Sequence, residues 1–557
     1  MKIFLCVVIY SLFISQPRVQ ASTPDSPTYV AAVVEYSPVT ASDGDTAADV
    51  VTKNLANYVL HIQRAAEKGA DIIVFPECGL VTFAGHGSFS THLPNPEDRV
   101  NPCTDDSSGV EEVVRTLSCE ARNRSIYVVV NIPEMVPCPS DTNCSSSDVL
   151  LYNSNVVFDR DGTVVARYRK FNLFGEPGFS ATLEPELSVF DTDFGVKFGT
   201  FTCFDIMFEK PAVSLVRALG VTDVVFPTAW FSQLPFHSAV QVQSSWASSM
   251  DVNFLASGYN NPRGGSSGSG IYAGKEGPIV AVMPTVPSTQ LLLAVVPKKS
   301  FQRTKHVSSN VSNVCELITA TPYRNAFPER LDGNDSGITM LSDYLEPYET
   351  LLLTENEFFS KHTVCHNELC CDFELVMHRS QQIMNSSYKD NVYRLAVFDG
   401  IRSYTYVTAG VQICAVISCI NDSLSSCVKD LKLSKQEMLN TVFDYVHISG
   451  NFRQSNSIHL PITLVRGYDV LSSDKFQFTR EEMPERNEIK VDMKTSRQNS
   501  NLLTFAIFGR DFQKDGGLLT LPSRCHRTSA ATVTVLITVA VILCLHTYFK
   551  FPFSFLH

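Results

Sequence analysis

The sequence predicts an α/β layered domain followed by a second, β-rich domain. Three observations carry this reading. Apolar segments of strand and helix period alternate from residue 29 to about 274. Three of those apolar runs end in one reactive side chain each, as strands do when their carboxyl ends share a sheet edge that holds ligands. Beyond about residue 320 the helical period fades, and short apolar segments sit between polar turns beside a cluster of six cysteines.

The elements follow in order. Residues 28–36, T-Y-V-A-A-V-V-E-Y, read as a buried strand. Over 49–68 the apolar residues Val51, Leu55, Tyr58, Ile62 and Ala65 fall on one helix face, and Gly69 suits the cap. A strand over 71–75 follows at once, then a helix near 110–121 and a strand over 126–132. Residues 150–158 and 163–169 predict a hairpin turned by Asp161-Gly162. After Cys203 the pattern gives a helix near 212–219, a strand over 223–226 and a helix near 239–250. Residues 263–274, R-G-G-S-S-G-S-G-I-Y-A-G, lack the spacing of a phosphate-binding loop and read as a surface or pocket-edge loop. The β-rich part is predicted from the segments 393–398, 411–418, 441–448 and 502–508.

Composition excludes several classes. The 557 residues are 44% hydrophobic and 18% charged, as in a globular protein long enough for two domains. A net charge of −12 without a basic run excludes nucleic acid as a partner. No C-x-x-C or H-E-x-x-H occurs, so no metal and no cofactor is expected.

Both ends read as addresses. Lys2 precedes a short apolar run, and Val19-Gln20-Ala21 offers a signal-peptide cleavage site before Ser22. At the far end, Asp515-Gly516-Gly517, a spacer and the apolar run 530–549 match a glycolipid-anchor signal. A transmembrane tail is the competing reading, but Arg524 and Arg527 lie on its lumenal side rather than the cytoplasmic one. The expected division is therefore 1–21 signal peptide, 22–320 α/β domain, 321–515 β-rich domain and 516–557 removed propeptide. The address expected is the extracellular face of the plasma membrane, with a secreted form as the alternative.

Sixteen cysteines fit an oxidising compartment. Cys103/Cys119 and Cys138/Cys144 are neighbours by sequence. Cys365, Cys370, Cys371, Cys414, Cys419 and Cys427 form an even-numbered cluster that can close on itself. Cys78 and Cys315 stand outside both groups. Sequons at Asn123, Asn143, Asn310, Asn334, Asn385 and Asn421 agree with a secretory route and glycosylation.

The chemistry concentrates in three places. Residues 71–77 read D-I-I-V-F-P-E, residues 166–176 read A-R-Y-R-K-F-N-L-F-G-E, and residues 198–205 read F-G-T-F-T-C-F-D. Singly, Glu77 could be a solvent-facing strand end, Lys170 a rim charge and Cys203 a buried inert thiol. Jointly, a carboxylate, an ammonium and a thiol at the ends of strands in one α/β domain form a set that can break an amide bond.

These three segments resemble the nitrilase superfamily, whose signature is a Glu-Lys-Cys triad on an α-β-β-α sandwich. The resemblance narrows to the vanin and biotinidase branch and covers nearly the whole mature chain. It is carried by Y-N-S-N-V-V-F-D, V-F-P-T-A-W, V-N-F-L-A-S and S-G-S-G-I-Y-A in the first part, and by T-V-C-H-N-E-L-C-C, A-V-F-D-G and L-T-F-A-I-F-G-R in the second. Vanins are pantetheinases with a glycolipid anchor; biotinidases share the triad and are secreted. The resemblance implies Cys203 as nucleophile, Glu77 as proton acceptor and donor, and Lys170 as oxyanion stabiliser. The Phe204 N–H is a candidate second oxyanion donor, and Glu176 is a candidate for orienting Lys170 or water. Trp230 and His237, after the next strand, are candidate substrate contacts, against readings as a core and a surface residue. Asp205 reads as structural, bonding backbone N–H groups at its turn. The partner implied is a small-molecule amide, pantetheine or a biotin amide, together with the outer membrane leaflet through the anchor. Biotinidase-type hydrolysis, and a catalytically silent adhesion or signalling ectodomain, are the alternatives.

Overall fold

A computed structural model of the protein describes residues 21–82, 88–106, 109–138, 149–302, 337–353, 359–379, 388–404, 407–429 and 438–517. The expected signal run, the anchor run, Cys144, Cys315, Asn143, Asn310, Asn334 and Asn385 lie outside the described residues. The described residues belong to one compact unit that runs to Gly517.

Thirteen strands build the first part: β1 Thr28–Glu35, β2 Ile72–Val74, β3 Tyr127–Pro137, β4 Val149–Phe158, β5 Val164–Arg169, β6 Val189–Asp191, β7 Lys197–Thr200, β8 Asp223–Thr228, β9 Gln233–Leu234, β10 Asn253–Gly258, β11 Ser269–Ala273, β12 Pro278–Val282 and β13 Gln290–Pro297. Twelve of them form one sheet of order β13-β1-β2-β3-β4-β5 and a second of order β12-β11-β10-β8-β7-β6, while β9 pairs with Leu341–Ser342. Residues of β1 explain the layering. Ala31 and Val33 pack between the sheets with Phe198, Val225 and Leu255. Ala32 and Val34 face outward to Val51, Tyr58 and Ile62 of the helix Ala47–Glu67 and to Leu117 of the helix Glu112–Arg124. A strand covered on both faces must be apolar at every position, which is why its sequence runs rather than alternates. On the far side, Val242 and Trp246 of the helix Ala239–Met250 pack on Phe226 and Phe254 of the second sheet. The result is the α-β-β-α sandwich.

Strand direction puts the reactive ends together. β1, β2 and β3 are mutually parallel, and two antiparallel steps return β5 to the same direction. β7, β8 and β10 are parallel in the second sheet. A parallel bridge between Tyr36 and Tyr259, with Tyr36 N–H donating to the Gly258 carbonyl at 3.0 Å, joins the carboxyl ends of β1 and β10. The strand ends before Glu77, Lys170 and Cys203 therefore share one edge of the sandwich.

Local chemistry sets the helix starts. Thr46 and Asp49 form a capping box ahead of Ala47–Glu67, and Ser238 with Gln241 does the same ahead of Ala239–Met250. The helix expected over 212–219 is shorter: a π turn Glu209–Val213 leads into Ser214–Arg217. Lys210 is extended (φ −111°, ψ 129°), Pro211 supplies no N–H, and Gly220 at φ +64° ends the segment.

The glycine-rich stretch corrects the sequence reading. Its first half is a loop, exposed at Arg263 and Gly264, but Ser269–Ala273 is a fully buried strand between β10 and β12. Its glycines permit close approach rather than flexibility. A Cβ on Gly258 would stand 2.3 Å from the Gly268 carbonyl oxygen and 2.8 Å from Glu35 Oε2. Glu35, buried at the end of β1, is received there by Asn260 Nδ2 at 2.6 Å, Ser267 Oγ at 3.0 Å and Ser269 Oγ at 2.5 Å.

The C-terminal part is two packed sheets, as its weak helical period predicts. One has the order Glu349–Leu352, Val392–Tyr404, Val407–Cys419, Leu502–Asp511, Ser457–Val465. The other has the order Phe359–His366, Leu369–Arg379, Thr441–Arg453, Glu488–Thr495, Phe476–Met483, with Asn499–Ser500 beside Thr441–Arg453. Alternation along Val392–Tyr404 sends Leu395 and Val397 between these sheets, and Ala396 and Phe398 toward the helix Ala239–Met250. The cysteine cluster does close on itself, as Cys365–Cys370, Cys371–Cys414 and Cys419–Cys427. Cys103 pairs with Cys119, and Cys138 is also disulfide-bonded. Among the described residues the free thiols are Cys78 and Cys203, both buried. Among those residues no helix is long and apolar enough to cross a membrane.

Candidate active site

Three strand ends supply the centre. β2 stops at Val74, and Phe75-Pro76 carry Glu77 off the sheet end, 1% exposed. Its Oε1 accepts from Lys170 Nζ at 2.7 Å and from Asn153 Nδ2 at 2.8 Å, and its Oε2 accepts the Ala229 N–H at 2.9 Å. Lys170 follows β5, and its N–H donates to the Asn153 carbonyl at 2.8 Å. Its ammonium is buried between Glu77 and Glu176, donating to both. Burial opposes that charge, but the two carboxylates outweigh burial and hold the Lys170 pKa well above its ordinary value. Burial pushes Glu176 up, and Lys170 more than offsets it, so Glu176 sits below the usual carboxylate range. Phe174 N–H also donates to Glu176 Oε2, at 2.6 Å.

Cys203 sits at the start of a tight turn, Cys203–Met207, that follows β7. Its φ of +48° is a left-handed conformation that a Cβ residue rarely adopts, so surrounding structure must hold it. Asp205 does so. Its Oδ2 accepts the Thr202 N–H at 3.1 Å and the Tyr168 hydroxyl at 2.6 Å, and its Oδ1 accepts the Asn172 N–H at 2.8 Å. Arg510, fully buried, donates from Nε to the Met207 carbonyl at 2.9 Å at the end of the same turn. The Cys203 thiol is pushed up strongly, by burial and then by Glu77, against Lys170, Thr228 and Ala229. It rests protonated, so a nucleophilic sulfur requires a base at hand.

The structure brings every sequence-identified candidate to the wall of one cleft: Glu77, Lys170, Glu176, Cys203, Phe204, Trp230 and His237. The remaining wall is mainly apolar, from Phe174, Met207, Phe231, Leu341 and Tyr404. His237 is not the surface residue its polarity allowed; it is 4% exposed, and its carbonyl accepts Trp230 Nε1–H at 2.8 Å. Of the sequons, Asn123 and Asn421 stand exposed on the described surface.

Sequence reasoning missed the polar support. Asn131 Nδ2 donates to Asn153 Oδ1 at 2.6 Å and to Asn155 Oδ1 at 3.0 Å, and Asn131 Oδ1 accepts the Cys78 N–H at 2.9 Å. Asn155 Nδ2 in turn donates to Thr200 Oγ1 at 2.9 Å, reaching from the first sheet to the second. The available signal was asparagine inside otherwise apolar strands, where a buried amide must be paired. Tyr404 and Leu341 carried no such signal, because they come from the β-rich part.

A carbon-nitrogen hydrolase family model matches residues 31–247, and a vanin C-terminal domain model matches residues 338–515. Vanin-like protein 1 of Drosophila melanogaster is 37% identical over 89% of this chain and 88% of its own length. Pantetheinase of Homo sapiens is 32% identical over 93% of this chain and 95% of its own, and biotinidase of Bos taurus is 31% identical over 87% and 93%. The solved structure of Saccharomyces cerevisiae Nit3, a member of branch 10 of the nitrilase superfamily, is 20% identical, covering 52% of this chain and 99% of its own at a TM-score of 0.38. The sandwich and the carbon-nitrogen hydrolase match define an enzyme that hydrolyses amide carbon–nitrogen bonds. Within that class, the chain belongs to the vanin and biotinidase family.

Proposed function

We propose that this enzyme cleaves pantetheine to pantothenate and cysteamine through a thioester on Cys203. The observation that carries the chemistry is the buried contact of Lys170 with Glu77 at 2.7 Å in the cleft that Cys203 lines. The substrate rests on relatives: pantetheinases of pig and human are 33% and 32% identical over 88% and 93% of this chain.

Glu77 takes the thiol proton as sulfur attacks the amide carbon. The oxygen gains charge beside the Lys170 ammonium and the Phe204 N–H; losing one such donor typically raises the barrier by ~3 kcal/mol. Collapse breaks the carbon–nitrogen bond, and Glu77 returns the proton to the departing amine. The acyl group is then on Cys203 as a thioester. Water gives its proton to Glu77, attacks the thioester carbon and releases the acid, and the thiol is restored. Glu176, bound to Lys170, keeps the ammonium in place.

We further propose that the chain is exported, cleaved before Ser22, glycosylated at its six sequons and anchored through Asp515-Gly516-Gly517. The disulfides support an oxidising route. Purified ectodomain assayed with pantetheine and with biocytin tests the substrate. Faster turnover of biocytin would transfer the chain to the biotin-amide reading. Failure of both, with Cys203 inert to alkylation, would leave a silent ectodomain. Phospholipase release from cells tests the anchor; retention on the membrane would point to a transmembrane tail.

A further inference from the structure

The cleft wall opposite ordinary expectation holds an imidazole. His237 lines the same cleft as Cys203, is buried, and is fixed in place by its backbone: its N–H donates to the Gln233 carbonyl at 2.8 Å, and its carbonyl accepts from Gln233 N–H at 3.0 Å and Trp230 Nε1–H at 2.8 Å. Its ring stands edge-on to Phe508, with centroids 4.7 Å apart. One ring nitrogen is occupied. Arg402 Nη1 lies 3.4 Å from His237 Nδ1. A guanidinium has donors only, so Nδ1 must be the acceptor and the ring proton must sit on Nε2. Burial, Arg402 and Arg510 hold the ring well below its ordinary pKa, so it is neutral and this tautomer is the one present. The Nε2 meets no partner among the described residues and is closed to solvent, so an acceptor reaches it only as neighbouring wall side chains move aside.

Arg402 is itself built in. Its Nη2 contacts Asp343 Oδ1 at 2.8 Å and Gln233 Oε1 at 2.7 Å, and its guanidinium lies 4.7 Å from the Tyr404 ring centroid. Four side chains thus hold one imidazole in one tautomer, and its remaining donor is left unmet. A buried donor without an acceptor costs about 1–3 kcal/mol. A histidine kept only to fill an apolar wall would gain by replacement with phenylalanine. The arrangement makes sense when a ligand supplies the acceptor.

We propose that His237 Nε2–H receives an acceptor oxygen of the substrate beyond the scissile amide, so that the enzyme selects amides carrying a hydroxyl or second carbonyl over purely aliphatic ones. Arg402, from the β-rich part, is the positioning residue that sets the donor. This deepens the proposed amidase reading and rests on it. It also gives the C-terminal part a role in substrate choice.

The test uses the full ectodomain and two amides of one aromatic amine: a pantothenoyl amide, and an all-methylene acyl amide of equal chain length. For His237→Phe, kcat/KM on the pantothenoyl amide should fall by about 10–100-fold, with the all-methylene amide within about twofold of wild type. His237→Gln, which keeps an amide donor near the Nε2 position, should recover part of the preference. Arg402→Met combined with Asp343→Asn, which avoids a lone buried carboxylate, should lower the preference in wild type and add nothing in the His237→Phe background. Equal loss on both substrates, or an unchanged preference in His237→Phe, would overturn the proposal and leave His237 a wall residue. Wild type turning over neither amide overturns the amidase reading and this proposal together, a result distinct from a lost preference.

Discussion

Glu77 Oε2 accepts the backbone N–H of Ala229 at 2.9 Å, a bond between the residue that ends the β2 segment of one sheet and the residue after β8 of the other. The carboxylate is thus a clamp across the sandwich as well as the proposed base. Its geometry has consequences for each substitution at the centre.

Glu77→Gln should lower turnover by ~10²–10⁴ through loss of the proton acceptor. Glutamine's carbonyl can still accept from Asn153 and Lys170, but its NH₂ would then face the Ala229 N–H, donor against donor. Stability should fall by about 1–3 kcal/mol. Steady-state kinetics and chemical denaturation measure both. Near-wild-type turnover would move proton transfer to another group.

Lys170→Met should lower kcat by ~10²–10³ with little change in substrate binding. It also strands Glu77 and Glu176 as buried carboxylates without their cation, a loss of about 3–5 kcal/mol. Adding Glu176→Gln should return part of the stability and none of the turnover. A double variant that regained activity would end the oxyanion role of Lys170.

Stability and activity should respond oppositely to pH around Asp205. Burial pushes its carboxyl up to about 6, against the hydrogen bonds of Tyr168 and Asn172 and the charge of Lys170. An unfolded aspartate titrates near ~3.9. Between those values the folded state keeps a proton the unfolded state has lost, so this group's stabilising contribution is full below ~4 and declines as pH rises toward 6. Activity should rise over the same interval, because the ionised form accepts from both Thr202 and Asn172 and holds the Cys203 turn. Thermal melting and kcat/KM in one buffer series check this; a flat rate between about pH 5 and 7 would count against it.

The Cys371–Cys414 bridge ties the two C-terminal sheets across 43 residues of chain. Replacing both cysteines by alanine should lower stability by about 2–5 kcal/mol. Turnover of the folded fraction should persist, because the Cys203 turn is held by Asp205, Tyr168 and Arg510. Denaturant midpoints, paired with active-site titration of Cys203, separate the two effects.

Much of the first part was legible locally. The runs over 28–36 and 71–75, the face containing Val51, Tyr58 and Ile62, and the hairpin at Asp161-Gly162 each state their structure within a few residues. They do so because a strand covered on both faces, or a helix covered on one, imposes its period on the sequence. Two readings went astray for a matching reason. Residues 269–273 read as loop because glycine and serine also mark turns. Here they admit Glu35 and a neighbouring carbonyl at close range, which only packing reveals. The helix expected over 212–219 was shortened by backbone geometry at Lys210-Pro211 that the apolar period does not report.

By itself the sequence determined the layered first part, the disulfide-bearing β-rich second part, and the identity of an acid, an amine and a thiol at strand ends. Tertiary structure alone decided what surrounds them: the left-handed turn at Cys203, the asparagine ladder beneath Glu77, and a cleft wall finished by Leu341 and Tyr404 from far along the chain, with Arg402 against its imidazole. The physical reason is range. Periodicity reports which face of an element is covered, whereas tautomers, orphan donors and pocket walls depend on which distant side chain does the covering.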